Sequence, residues 1–196
     1  MLILTSNGLT TPDLIQKASP FLKGKRCALV TTASVGFKEK DWHVPRLAEE
    51  LFSCGAASVE LFDFDLQSPE AFSAYDAALL IGGNPFYLLA SIRKHGFADV
   101  LNIFGKDKTL IGVSAGSLVL TPSIGIIMQY TPEMNDIVGL TDLSALHLYP
   151  HQLLPHYGKF LTKFDHFEQK AQIYEQQHGI RLIRLNDGEA IFCETE

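Results

Sequence analysis

"LIGVSAGSLVL", residues 110–120, places Ser114 between Gly112 and Gly116 at the end of an apolar run. The run before the serine is nearly all apolar, as a strand covered on both faces should be. The "AGSLVL" after it is compatible with a helix. "GVSAG" in a strand-turn-helix context is the GxSxG spacing of a nucleophile elbow, in which the serine sits on a sharp turn and its oxygen stands clear of the strand end. The small flanking residues let neighbouring backbone approach without a Cβ clash. The same turn would direct the N–H of Ala115, at the start of the following helix, towards a developing oxyanion. The plainer reading of the pentapeptide is a glycine-rich turn that only packs helix on strand.

Around this stretch, short apolar runs recur with helix-length spacers between them, a pattern that points to an α/β protein. "LILT" (2–5), "CALVTT" (27–32), "SVELFDF" (58–64), "AALLIGG" (77–83) and "TLIGVS" (109–114) read as strands. Residues 41–55, 85–104 and 157–179 carry apolar residues at helical spacing, with Gly55, Gly96 and Gly179 where helices end or break. The late runs "IRLIRL" (180–185) and "AIFCE" (190–194), joined through "NDG", read as a closing hairpin. Between about 121 and 156, four prolines (Pro122, Pro132, Pro150 and Pro155) argue for loops. The expectation is one domain, residues 1–196, with three layers: a mostly parallel sheet, helices on both faces, and a C-terminal hairpin.

Composition agrees with one well-filled core. Hydrophobic residues make up 46% of the 196 and charged residues 19%, below the ~25% usual for soluble domains. A formal charge of -6 without a Lys/Arg cluster makes nucleic acid an unsuitable partner. The N-terminus lacks a basic segment before its apolar part, and no apolar run approaches the ~18 residues of a membrane span. Cys27, Cys54 and Cys193 are odd in number and lack CxxC spacing. They read as reduced, mostly buried thiols of a cytoplasmic protein.

A second glycine pair, Gly82 and Gly83, ends another buried strand just before a helix. Two strand-to-helix turns would then face one another across the carboxyl edge of the sheet, where α/β proteins bind ligands. One turn would supply Ser114 and the Ala115 N–H, and the other a second N–H from Gly82 or Gly83. A serine hydroxyl also needs a base, and the base an orienting acid. Of seven histidines, several fall in the proline-broken "HLYPHQLLPHY", where His156 sits between Pro155 and Tyr157. "YTPEMNDIVGL" offers Glu133 and Asp136 as acids. His147 and His151 would share a face of an extended strand and so suggest a metal pair, but Pro150 prevents a helical display and no HExxH occurs. No metal or cofactor is expected.

"IGGNPFYLL", "GVSAGSLVLTPSI" and "YPHQLLPHY" together resemble, in order and separation, the signature segments of the dipeptidase E and cyanophycinase family of serine peptidases. The resemblance implies a sheet related to class I glutamine amidotransferases, flavodoxin-like in its layers, and a triad in the chain order serine, acid, histidine. It puts the nucleophile at Ser114 and the base at His156, with Asp136, directly before "IVGL", the better aligned acid and Glu133 open. The implied substrate is a small peptide, cleaved through an acyl-enzyme. The aspartyl dipeptidase branch places an arginine shortly after its histidine. Here no arginine lies between His156 and Arg181, only Lys159, Lys163 and Lys170, and lysine does not reproduce the bidentate fork. An Asp-X preference is therefore not expected. The alternative reading is a non-catalytic module that keeps the fold and binds a ligand or partner.

Overall fold

The computed structural model describes residues 1–194. Eight strands alternate with helices: β1 (Leu2–Thr5), α1 (Pro12–Leu22), β2 (Arg26–Val30), α2 (His43–Ser53), β3 (Ser58–Phe62), α3 (Pro69–Phe72), β4 (Ala77–Leu80), α4 (Pro85–Lys94), α5 (Phe97–Asp107), β5 (Thr109–Val113), α6 (Ala115–Val119), β6 (Leu153–Pro155), α7 (Tyr157–Leu161), α8 (Phe167–His178), β7 (Ile183–Leu185) and β8 (Ala190–Cys193). The main sheet runs β3-β2-β4-β5-β1-β8. All its pairings are parallel except that of β8 with β1.

Strands β1, β4 and β5 are buried along their whole length, because helices cover both faces. The connections from β1 to β2 to β3 run in one direction along the sheet and bring α1 and α2 together. The chain then reverses direction across the sheet, and α4 packs with α5 and α6. Helix α1 adds to the helices read from the sequence. Thr11 caps it by accepting the Leu14 N–H, Pro12 starts it, and Leu14, Ala18 and Leu22 face the core at i, i+4, i+8 spacing. Gly96, at φ 75°, divides the 85–104 stretch into α4 and α5, and His166, at φ 56°, precedes a new start at α8.

The closing hairpin is corrected by the pairing. Strand β7 joins β6 in a separate two-stranded parallel sheet, while β8 lies antiparallel on the free edge of β1. The fully buried β1 would otherwise present an open row of N–H and C=O groups, and β8 pairs with that edge. The "NDG" turn carries the chain from the small sheet to the large one. No helix among the described residues is long and apolar enough to cross a membrane.

The glycines flanking Ser114 follow from this packing. A Cβ on Gly116 would overlap the Leu80 carbonyl oxygen, and one on Gly112 would lie 2.6 Å from the Ser117 Cα. Helix α6 therefore sits directly on the ends of β4 and β5. Ser117 Oγ fastens it to β1 as well, donating to the Thr5 carbonyl at 2.8 Å and accepting the Thr5 N–H at 3.0 Å. Gly116→Ala is expected to cost about 1–3 kcal/mol by overpacking. That corresponds to a fall in Tm of roughly 2–12 °C for a domain of this size, measurable by calorimetry and absent if the contact is relieved elsewhere.

Candidate active site

Ser114 lies at φ 51°, ψ -108°, between the end of β5 and the start of α6. A non-glycine residue held there costs of order 1–3 kcal/mol and persists only where its surroundings fix it. Its N–H donates to the Thr5 carbonyl at 3.0 Å, and its own carbonyl receives the Leu118 N–H at 3.0 Å. A Cβ on Gly82 would lie 3.9 Å from Ser114 Oγ, so the β4 turn runs beside the hydroxyl. Gly83, at φ 138°, has no room for a side chain because the Ala33 carbonyl occupies that space. The N–H groups of Gly82, Gly83 and Ala115 donate to no backbone acceptor among the described residues.

His156 follows β6 in a left-handed conformation, φ 58°, ψ 27°. Its Nδ1 lies 2.6 Å from Asp187 Oδ1. Ser6 Oγ, just past β1, accepts the His156 backbone N–H at 2.8 Å and donates to Asp187 Oδ1 at 2.7 Å. With Nδ1 committed to Asp187, Nε2 keeps no protein partner among the described residues. Ser114 and His156 line the same two adjoining cavities, without a hydrogen bond between them within 3.5 Å. Such bonds are often long in unliganded enzymes.

Neither carboxylate expected from the sequence approaches this histidine. Glu133 and Asp136 are exposed, at and just after a 3-10 turn (Pro132–Asn135), and border a surface depression with Met128 and Gly139. That turn is tied to the α4 side of the sheet, where Asn84 Nδ2 donates to the Met134 carbonyl at 2.7 Å. Asp187 comes instead from the "NDG" segment, which the sequence analysis read as a hairpin loop. Its neighbours anchor that turn beside β1 and α7: Gly188 N–H donates to Asn7 Oδ1 at 2.9 Å and Gly158 N–H to Asn186 Oδ1 at 3.1 Å. Ser6 was also missed, and the signal available for both was weak: a polar residue in a turn directly after a strand. His147 and His151 are exposed, away from both cavities. Among the described residues no group of three His, Cys, Asp or Glu is placed to hold a metal ion.

Burial is the largest influence on His156 and pulls its pKa down. The charge and hydrogen bond of Asp187 push it up, Lys159 and Lys163 push it down again, and the net value lies below that of a free imidazole. Burial alone would raise the Asp187 carboxyl. The hydrogen bond from Ser6 and the charge and hydrogen bond of His156 outweigh it and hold the group below the usual carboxylate range. At neutral pH the pair is therefore a neutral imidazole facing a carboxylate, a state that can accept a proton.

Comparison with known proteins bears on the family and the fold. The family model of peptidase family S51 matches residues 2–196. A putative peptidase E from Listeria monocytogenes EGD-e superposes with a TM-score of 0.75 at 28% identity, covering 98% of this chain and 93% of that one. A peptidase from an acI-B1 actinobacterium shares the fold at 16% identity, with a TM-score of 0.69 over 96% of this chain and 81% of that one. Peptidase E of Shewanella baltica (strain OS155) is 33% identical over 107 residues, 53% of this chain and 42% of the relative. An uncharacterized peptidase of Pasteurella multocida (strain Pm70) is 28% identical over 117 residues, 59% of this chain and 54% of that protein. The matches span about half the length of these curated relatives.

The charge balance around the imidazole can be read by NMR. His156 is expected to titrate with a midpoint below the ~6.5 of an unperturbed imidazole. Lys159→Met, which removes a repelling cation, should move that midpoint up. Asp187→Asn, which removes the attracting anion, should move it down. A midpoint unmoved by both changes would mean that burial alone sets it.

Proposed function

We propose, for a chain that belongs to peptidase family S51, a serine peptidase mechanism in which Ser114 is the nucleophile, His156 the base and Asp187 the orienting acid. The observation that carries it is the 2.6 Å pairing of His156 with Asp187 in a cleft shared with a serine held at φ 51°.

In this reading His156 Nε2 takes the Ser114 Oγ proton as Oγ attacks the scissile carbonyl carbon. Asp187 keeps the proton on Nδ1 and stabilises the imidazolium that forms. The N–H of Ala115 and one from Gly82 or Gly83 receive the oxyanion. The carbon–nitrogen bond breaks as His156 returns its proton to the departing amine nitrogen, leaving an acyl group on Ser114. Water then attacks the acyl carbon, giving its proton to His156. The carboxylic acid product leaves as Ser114 Oγ recovers that proton. These steps use no cofactor. The substrate class is a small peptide, supported by the peptidase names of the relatives. The thiols support a reducing, cytoplasmic setting: Cys27, Cys54 and Cys193 are free, and burial pushes the first two up to about 11.

Single substitutions assayed on a cleaved peptide separate the candidate acids. Ser114→Ala should lower kcat on the order of 10⁶-fold, and Asp187→Asn by about 10³–10⁴-fold with little change in Tm. Asp136→Asn and Glu133→Gln should stay within about threefold, as exposed carboxylates screened by salt. Near wild-type turnover in Asp187→Asn with a large loss in Asp136→Asn would return the acid to the loop after the elbow.

A further inference from the structure

The cleft divides at the nucleophile. Gly83, Ser114, His156, Phe160 and Lys163 belong to both cavities and form the seam between them. On one side is a lobe of about 200 Å³ walled by Leu118, Ile127, Tyr130, Met134, Phe160 and Phe164. The other, about 320 Å³, is walled by Asn7, His43, Arg46, Lys159 and Lys163, with the Asp41 carboxylate turned to His43 at 2.8 Å. A bond held against Ser114 Oγ thus has an apolar flank and a cationic one.

The two lobes differ in what they can solvate. In the apolar lobe the Tyr130 hydroxyl is already spent, donating to the Phe167 carbonyl at 3.2 Å. The cation on that wall, Lys163, sits on the seam with its ammonium over the Phe160 and Phe164 rings, 5.4 and 5.2 Å from their centroids. A carboxylate carried deep into this lobe would give up its water for few compensating donors. Across the seam, Lys159 and Lys163 form no ion pair among the described residues, whereas Arg46 is engaged by Glu50 and the Asn7 carbonyl. Size agrees with the chemistry, since an apolar cavity of ~150 Å³ suffices to bind benzene.

We propose that the apolar lobe is the side-chain subsite of this cleft, taking a leucine- or phenylalanine-sized side chain next to the scissile carbonyl, and that the substrates are short peptides with an apolar residue at that position. The proposal rests on Ser114 being the nucleophile. Apolar surface on both partners is removed from water there, beside the atom that reacts, so the selectivity appears in the chemical step.

The test is the rate at which aminoacyl diphenyl phosphonates bearing Ala, Leu, Phe or Asp side chains modify Ser114, followed by intact-protein and peptide mass spectrometry. A simple alkyl fluorophosphonate serves as the control for the nucleophile. The Leu or Phe reagent is expected to react at least about tenfold faster than the Ala reagent, as differences of one or more methylenes in an apolar pocket require, and faster than the Asp reagent. Ile127→Asp, or Met134→Asp should the first variant fail to fold, is expected to bring the Leu-to-Ala rate ratio towards one. An Asp reagent that reacts fastest, rates independent of the side chain, or a Leu-to-Ala ratio retained in the folded variants would each overturn the subsite. Failure of the fluorophosphonate to modify Ser114 in folded protein would instead remove the serine mechanism, and the subsite with it.

Discussion

One buried hydroxyl joins the parts of the site. Ser6 is fully buried, and its Oγ accepts the backbone N–H of His156, donates to Asp187 and lies 3.3 Å from His156 Nδ1. Ser6 directly follows β1, and β1 is paired with β5, which leads into Ser114, in the register Thr5↔Val113. Serine and histidine are therefore both referenced to neighbouring hydrogen-bonded strands, although the turns that carry them are irregular. The bond from His156 N–H also compensates part of the cost of a left-handed histidine.

Steric exclusion supplies the second constraint. The elbow is closed in by the Leu80 carbonyl against Gly116, by Ser117 against Gly112 and by the Ala33 carbonyl against Gly83. None of these contacts touches a reacting atom. Together they crowd the backbone around the serine, whose φ of 51° is held where β4, β5 and α6 meet. Electrostatics then acts on a geometry already fixed: burial and two lysines lower the proton affinity of His156 while Asp187 opposes them.

What could be read from the sequence followed from local pattern. Five strands of the main sheet, the elbow at Ser114 and the glycine turn at Gly82 and Gly83 each announce themselves within about ten residues, because a buried strand ending in glycine has few other uses. Asp187 and Ser6 were not legible in this way. Each is a polar residue in a turn, and its partner is 31 or 150 positions distant in the chain. Which turn meets which histidine depends on the edge of the sheet taken by β8. The "NDG" sequence suits a hairpin equally well, and the choice is made by the open edge of β1, a tertiary fact. Asp136 and Glu133 lie between the serine and the histidine, as the implied chain order requires, but that stretch is tethered to α4 through Asn84, away from β1, and the carboxylate at His156 follows it in the chain.

Asn84 carries a consequence beyond holding that loop. Its Oδ1 accepts the N–H groups of Phe86 and Tyr87 at the start of α4, while its Nδ2 holds the Met134 carbonyl. The wall containing Met134 is thus hung from a helix cap, whereas the serine, histidine and aspartate are hung from the ends of the sheet. The two assemblies have different anchors and meet where α4 packs on α6. Residues 125–135 are thus free to vary without breaking the bonds that join Ser6, His156 and Asp187. Asn84 itself is the position at which that freedom stops, since a change there loosens a helix and a wall together.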